Sequence, residues 1–148
     1  VCGGRLQPVL DATALAKELG MHVETVTLVI PGQNDSMEEM EKLIRWVLDN
    51  LGPDTPMHFT RFHPDYKMRE ARPTEVRALE KIYERAKDLG LHYPYLGNVG
   101  GHPYENTYCP ACGSLVIERS GYAVRIVGLD DHTCTACGGR IEYVSEIR

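Results

Sequence analysis

Two matched cysteine pairs constrain this chain more than any other feature. They are Cys109-Pro110-Ala111-Cys112 and Cys134-Thr135-Ala136-Cys137, each followed by glycine, with residues 113–133 between them. Two thiolates two residues apart can grip one ion, and two such pairs complete a tetrahedral shell of four sulfurs. The glycine after each second cysteine permits the tight turn that aims backbone N–H groups at sulfur. Stretches 115–118 and 123–129 are apolar and β-branched around Ser120-Gly121, so a hairpin is expected, with a pair at each end. A redox dithiol needs only one pair, at a helix start after a strand, and the spacing favours a structural site. So small a unit has little core, and metal binding, worth about 10–16 kcal/mol in zinc-finger peptides, can supply its folding free energy. Cys109, Cys112, Cys134 and Cys137 are therefore expected to bind zinc in a small β ribbon over residues 109–148. Iron fits the same four sulfurs. His132 is expected in a supporting position or exposed, because four sulfurs already fill the shell.

Ahead of the ribbon the pattern alternates between helix and strand. Leu6, Val9, Leu10, Leu15 and Leu19 recur at helical spacing, with Gly20 at the stop. Residues 22–30 are β-branched and end in an apolar run, as a buried parallel strand does. Ser36-Met37-Glu38-Glu39 matches a capping box. Met37, Met40, Leu43, Ile44, Val47, Leu48 and Leu51 then line one helix face, and Gly52-Pro53 ends it. A strand is expected over 57–62. Pro73 and Thr74 open a third helix, with Val76, Leu79, Ile82, Tyr83, Ala86 and Leu89 inward and Gly90 closing it. A last strand follows over 91–96. Strands joined by such helices make right-handed crossovers and a parallel sheet. Three strands are too few for a closed barrel of eight, so the fold class is α/β, a piece of a larger object. The expected division is an α/β segment over 1–98, a linker rich in Gly, Asn and Pro over 99–108, and the ribbon over 109–148.

Parallel α/β sheets form their sites at the C-terminal strand ends. Here those ends read Ile30-Pro31-Gly32-Gln33-Asn34-Asp35, then Arg61-Phe62-His63-Pro64-Asp65-Tyr66, then Gly97-Asn98-Val99. Each residue also has a plainer role: Asp35 as a helix cap, Asn34 as a turn former, His63-Pro64-Asp65 as a surface turn. Together they make a polar rim on one side of the sheet.

These linked runs, followed by Asn106-Thr107-Tyr108-Cys109-Pro110-Ala111-Cys112-Gly113 and the second Cys-x-x-Cys-Gly, resemble radical S-adenosylmethionine enzymes related to pyruvate formate-lyase activating enzyme. The AmmeMemoRadiSam-system radical enzymes are the nearest likeness, from Gly3-Gly4 to Cys137-Gly138. The resemblance implies the C-terminal part of a partial (β/α) barrel followed by a terminal zinc ribbon. In that family a [4Fe–4S] cluster on Cys-x3-Cys-x2-Cys cleaves S-adenosylmethionine reductively. By the same resemblance Ile30, Pro31 and Gly32 lie beside the adenine, with Asn34 and Asp35 at the pocket border. Arg61 and His63 lie on the next strand end, near adenine or substrate. The cluster motif itself is absent from these 148 residues, and Cys2, a lone thiol, cannot hold a cubane. The chain begins Val1-Cys2-Gly3-Gly4, and the cluster-bearing half of the barrel is expected upstream, so this chain alone is expected to be inactive.

Charge narrows the partners. The net charge is −5 and the pI about 5.7, and residues 109–148 carry four Arg and no Lys against five Asp and Glu. That balance disfavours nucleic acid. No apolar run reaches membrane-spanning length and no signal peptide is visible, and paired Cys-x-x-Cys units fit a reducing, cytoplasmic setting. The expected partners are the upstream half of the barrel and a protein substrate, with self-association through an exposed sheet edge. The alternative is a non-enzymatic zinc-ribbon module that docks a protein.

Overall fold

The computed structural model describes residues 3–141. Val1, Cys2 and residues 142–148, and with them the expectation for the lone Cys2 thiol and the end of the 109–148 unit, lie outside the described residues.

Three strands and three helices alternate as the sequence pattern requires: α1 (Leu6–Glu18), β1 (Thr25–Val29), α2 (Met37–Asn50), β2 (Met57–Arg61), α3 (Val76–Asp88) and β3 (Pro94–Gly97). The strands form one parallel sheet in the order β1-β2-β3, with Thr25 beside Met57 and Met57 beside Pro94. Side chains alternate across a strand, so Val29, Met57, Phe59 and Leu96 share one face. There they meet Met40, Ile44 and Val47 of α2 and Leu79, Ile82 and Ala86 of α3 in one core cluster. Phe59 is fully buried at its centre. Each of these Val, Leu, Ile, Met and Phe side chains contributes about 1.5–3 kcal/mol by leaving water.

The capping box forms at α2. The Ser36 hydroxyl accepts the Glu39 N–H at 3.3 Å and donates to the Glu39 carboxylate at 2.7 Å. Arg85 donates to Glu41 at 2.7 Å and ties α3 to α2. α1 differs from its neighbours. Its spacing is helical, but Leu6, Val9, Leu15 and Leu19 stand 54–71% exposed, and no α1 residue is buried. The third strand starts at Pro94 rather than at 91, because Leu91 turns into the core and the His92 N–H donates to the Pro53 carbonyl. The third helix starts at Val76, later than Pro73-Thr74, for a reason that belongs to the rim described below.

Residues 99–108 contain a 3-10 turn at Pro103–Glu105 held against α3. The Tyr104 ring stacks on Tyr83 at 3.8 Å and its hydroxyl donates to Glu84, while His102 Nε2 lies 3.1 Å from Glu80. An antiparallel sheet follows: β4 (Thr107–Tyr108), β5 (Leu115–Ser120) and β6 (Ala123–Ile126), then a small hairpin of β7 (Leu129–Asp130) and β8 (Thr133–Cys134). Ser120 pairs with Ala123, so the turn is Gly121-Tyr122, one residue later than expected. The expected strand 123–129 breaks after Ile126. A Cβ on Gly128 would sit 2.5 Å from the Leu115 carbonyl oxygen, and the N–H groups of Val127 and Gly128 both donate to the Val116 carbonyl.

The two sheets share a core. Tyr93 and Tyr95, turned away from the helices, pack with Cys109, Val116, Ile117, Cys134 and Ile141. Among the described residues no helix is long and apolar enough to cross a membrane.

Candidate metal centre and strand-end rim

The sequence brings each cysteine pair to a tight turn. The Gly113 N–H donates to the Cys109 carbonyl and the Gly138 N–H to the Cys134 carbonyl, each at 2.8 Å, and both glycines have φ of 75°. That left-handed backbone strains any residue with a Cβ, which accounts for the repeated glycine. The turns converge the four thiols, and all four Sγ atoms lie within 4.8 Å of one another. Cys109 and Cys137 sulfurs are 3.7 Å apart, and Cys112 and Cys134 are 3.8 Å apart. A tetrahedron of sulfurs about 2.3 Å from a central ion has edges of about 3.8 Å. The four-cysteine group therefore fits one metal ion.

Cys109 and Cys134 are buried in the shared core, while Cys112 and Cys137 face solvent. The Gly139 N–H points at Cys137 Sγ from 3.4 Å, and the Ser114 hydroxyl lies 3.3 Å from Cys112 Sγ. Hydrogen bonds from Ser114 draw the Cys112 thiol down to about 6. At Cys137 the Gly139 N–H acts in the same direction, but the neighbouring Cys112 and Cys109 sulfurs outweigh it and push the thiol up to about 12. One thiolate thus suppresses the next until a cation neutralises the set. His132 is half-buried, its Nδ1 3.2 Å from the Ile141 carbonyl, and is not one of the four ligands.

The rim residues are brought together at the C-terminal strand ends, and several side chains there already hold backbone. Asn34 Oδ1 accepts the Ile30 N–H at 2.7 Å, and its amide donates to the Leu28 carbonyl at 3.0 Å. Asp35 accepts the Gly32 N–H at 2.8 Å, and Ser36, not Asp35, caps α2. Ile30 and Pro31 are half-buried and Gly32, at φ 72°, is exposed. Arg61 Nε donates to the Thr74 carbonyl at 2.8 Å, and Asn98 donates to the Arg61 carbonyl at 3.2 Å. His63 is exposed. The sequence pattern assigned Thr74 to a helix start, but it is the buried clasp of the rim. Its hydroxyl donates to the Val29 carbonyl at 2.5 Å and accepts the Phe62 N–H at 3.1 Å. That role draws Thr74 out of the helix and delays α3.

A second polar group, at the opposite end of the sheet, carries no motif. Glu24 accepts from His22 and His58, each at 3.0 Å. Burial pushes the Glu24 carboxyl up, but these two hydrogen bonds hold it below its ordinary 4.5. Beside them the Tyr95 hydroxyl lies 2.8 Å from that of Thr107, to which Arg119 also donates at 2.7 Å. Only the pleat of β1-β2-β3, invisible in local sequence, aligns Val26, His58 and Tyr95 in one row.

This chain is similar to an uncharacterised protein of Methanocaldococcus jannaschii, 47% identical over 146 residues, covering 97% of the chain and 44% of that relative. It is more distantly similar to GTP 3',8-cyclases. The Limosilactobacillus fermentum protein is 29% identical over 141 residues and that of Listeria monocytogenes 25% over 140, each covering 81% of the chain and 40% of the relative. The chain thus spans less than half the length of the curated relatives it matches. No family model matches it. No solved structure matches it.

Proposed function

We propose that this chain is the C-terminal portion of a radical S-adenosylmethionine enzyme similar to the glycyl-radical activating enzymes. In this reading β1-β2-β3 is the later part of a partial (β/α) barrel, and the four-cysteine unit is a structural zinc ribbon. The observation that carries the superfamily is the similarity, over 81% of the chain, to GTP 3',8-cyclases, which are radical S-adenosylmethionine enzymes. The parallel order of the sheet supports the same reading. The activating-enzyme type rests on the motif resemblance alone.

Within that reading Ile30, Pro31 and Gly32 offer an apolar strand end to the adenine, fixed by Asn34 and Asp35. Arg61 and His63 border the same space from β2. A strand end whose backbone is locked by its own side chains presents its groups to a ligand without reorganising. The [4Fe–4S] cluster does not fit the described residues: their four thiols lie 3.7–3.8 Å apart in pairs and all within 4.8 Å, the spacing of a single-ion site rather than of a cubane, and no further described cysteine is left for a cluster. Its ligands belong to the remainder of the longer protein, and this chain alone performs no radical chemistry. Zinc suits a site whose task is structural, because it has no redox chemistry and favours tetrahedral thiolates. Paired Cys-x-x-Cys units accord with a cytoplasmic setting. The partners are the upstream half of the barrel, which would pair along the outer edge of β1, and a protein substrate. Self-association along the same edge would occur in the isolated chain.

The test is the longer polypeptide that contains this chain. It should carry an upstream Cys-x3-Cys-x2-Cys and, after anaerobic reconstitution and reduction, convert S-adenosylmethionine to 5'-deoxyadenosine. Absence of the motif, or no 5'-deoxyadenosine from a reconstituted cluster, would overturn the proposal.

A further inference from the structure

The opposite end of the sheet holds a cavity of about 870 Å³, between the face that carries His58 and Tyr95 and the β5–β6 hairpin. Arg119 stands half-buried in its wall. Its guanidinium lies 5.2 Å from the Tyr95 ring and, among the described residues, donates to neutral oxygens, the Glu105 carbonyl at 3.2 Å and the Thr107 hydroxyl at 2.7 Å among them. Among the described residues no carboxylate lies within ion-pairing distance of it. Glu24, Asp54 and Glu105 also line the cavity but are engaged elsewhere: Glu24 with His22 and His58, Asp54 with His92, and Glu105 with the Gly101 N–H; Glu118, outside it, pairs with Arg125.

A partly buried charge that meets only neutral partners is costly, and guanidinium is the group best suited to a bidentate oxyanion. Apart from Arg119, the hairpin side of the cavity is apolar. Val124 and Ile126 line it and remain 62% and 54% exposed. On the sheet side the His58 ring lies flat against Tyr95, centroids 5.1 Å apart. The volume falls in the range of sites for small organic ligands.

We propose that this cavity binds a small organic anion, its carboxylate or phosphate on Arg119 and its apolar body against Val124 and Ile126. The site is separate from the rim assigned above to the adenosyl group, and it does not rest on that assignment.

The test is titration of the metal-loaded chain with benzoate and with phenyl phosphate, read by calorimetry and by amide and ring NMR shifts. Benzyl alcohol and inorganic phosphate serve as the neutral and the bodiless comparisons. One of the two aromatic anions should saturate a single site that shifts Arg119, Tyr95 and His58, and which of them binds tighter assigns the headgroup. Benzyl alcohol, which lacks the charge, should bind roughly tenfold more weakly, the scale of one lost charged hydrogen bond. Inorganic phosphate, which keeps the charge but lacks the ring, should also bind roughly tenfold or more weakly, the scale of the apolar burial it forgoes. R119Q should weaken the anion by a similar roughly tenfold factor. R125Q, which alters an outward-facing pair, should leave it within about twofold. Scattered surface shifts, no saturation by about 10 mM, or an R119Q affinity equal to that of the unaltered chain would overturn the proposal. If R119Q does not fold, equal affinities for benzoate and benzyl alcohol on the unaltered chain would overturn it.

Discussion

Val116→Ala is the sharpest probe of how the two sheets depend on each other. Val116 is fully buried in β5, in the cluster that joins Tyr93 and Tyr95 of the parallel sheet region to Cys109, Cys134 and Ile141. Removing two carbons costs about 1.6 kcal/mol at about 0.8 kcal/mol each. The incompletely relaxed cavity raises the total to about 2–3 kcal/mol. For a chain of this length the melting temperature should fall by roughly 4–10 °C with metal saturating. If the core is shared, the loss reaches the parallel sheet. Exchange of the Met57 amide, which donates to the Tyr93 carbonyl at 3.0 Å, should then quicken about thirtyfold or more, the equivalent of 2 kcal/mol. Hydrogen-exchange mass spectrometry reads both sheets at once. Faster exchange in β5 and β6 with none in β2 and β3 would refute the shared core and favour two independent units.

Three further perturbations probe the rim, the hairpin and the polar cluster. Thr74→Val orphans the Phe62 N–H and removes the donor to the Val29 carbonyl, and should cost about 2–4 kcal/mol by urea denaturation. Gly128→Ala sets a Cβ against the Leu115 carbonyl oxygen and should destabilise the metal-loaded chain by about 1–3 kcal/mol, read as a lower melting temperature. Glu24 is held below 4.5, so its ionised form stabilises the folded chain above that pH, and this contribution drains away as the pH falls through the folded value. The stability gap between the unaltered chain and Glu24→Gln should therefore narrow below about pH 4.5 in parallel acid titrations. A gap that stays constant would remove Glu24 from the account.

The features legible in the sequence were those written in local patterns. The Cys-x-x-Cys-Gly pairs, the Ser36–Glu39 box and the helical stripe of Met40, Ile44 and Val47 each depend on residues a few positions apart. Position in the structure follows from them almost directly. Thr74 was misread because its partners, Val29 and Phe62, are 45 and 12 residues away, and tertiary hydrogen bonds outweighed its place at a helix start. The break at Gly128 depends on the approach of Leu115 from the neighbouring strand. The cavity around Arg119 was likewise hidden, since His58, Tyr95 and Arg119 meet only through sheet register and the packing of the hairpin against it. For α1 the spacing gave the helix but not its burial: periodicity defines a face and is silent about what lies opposite.

X-ray absorption at the zinc edge, with elemental analysis of the same sample, tests the central claim most directly. One zinc per chain surrounded by four sulfurs at about 2.3 Å is the expected result. A metal-free folded chain, a disulfide within either pair, or nitrogen and oxygen in the zinc shell would contradict it.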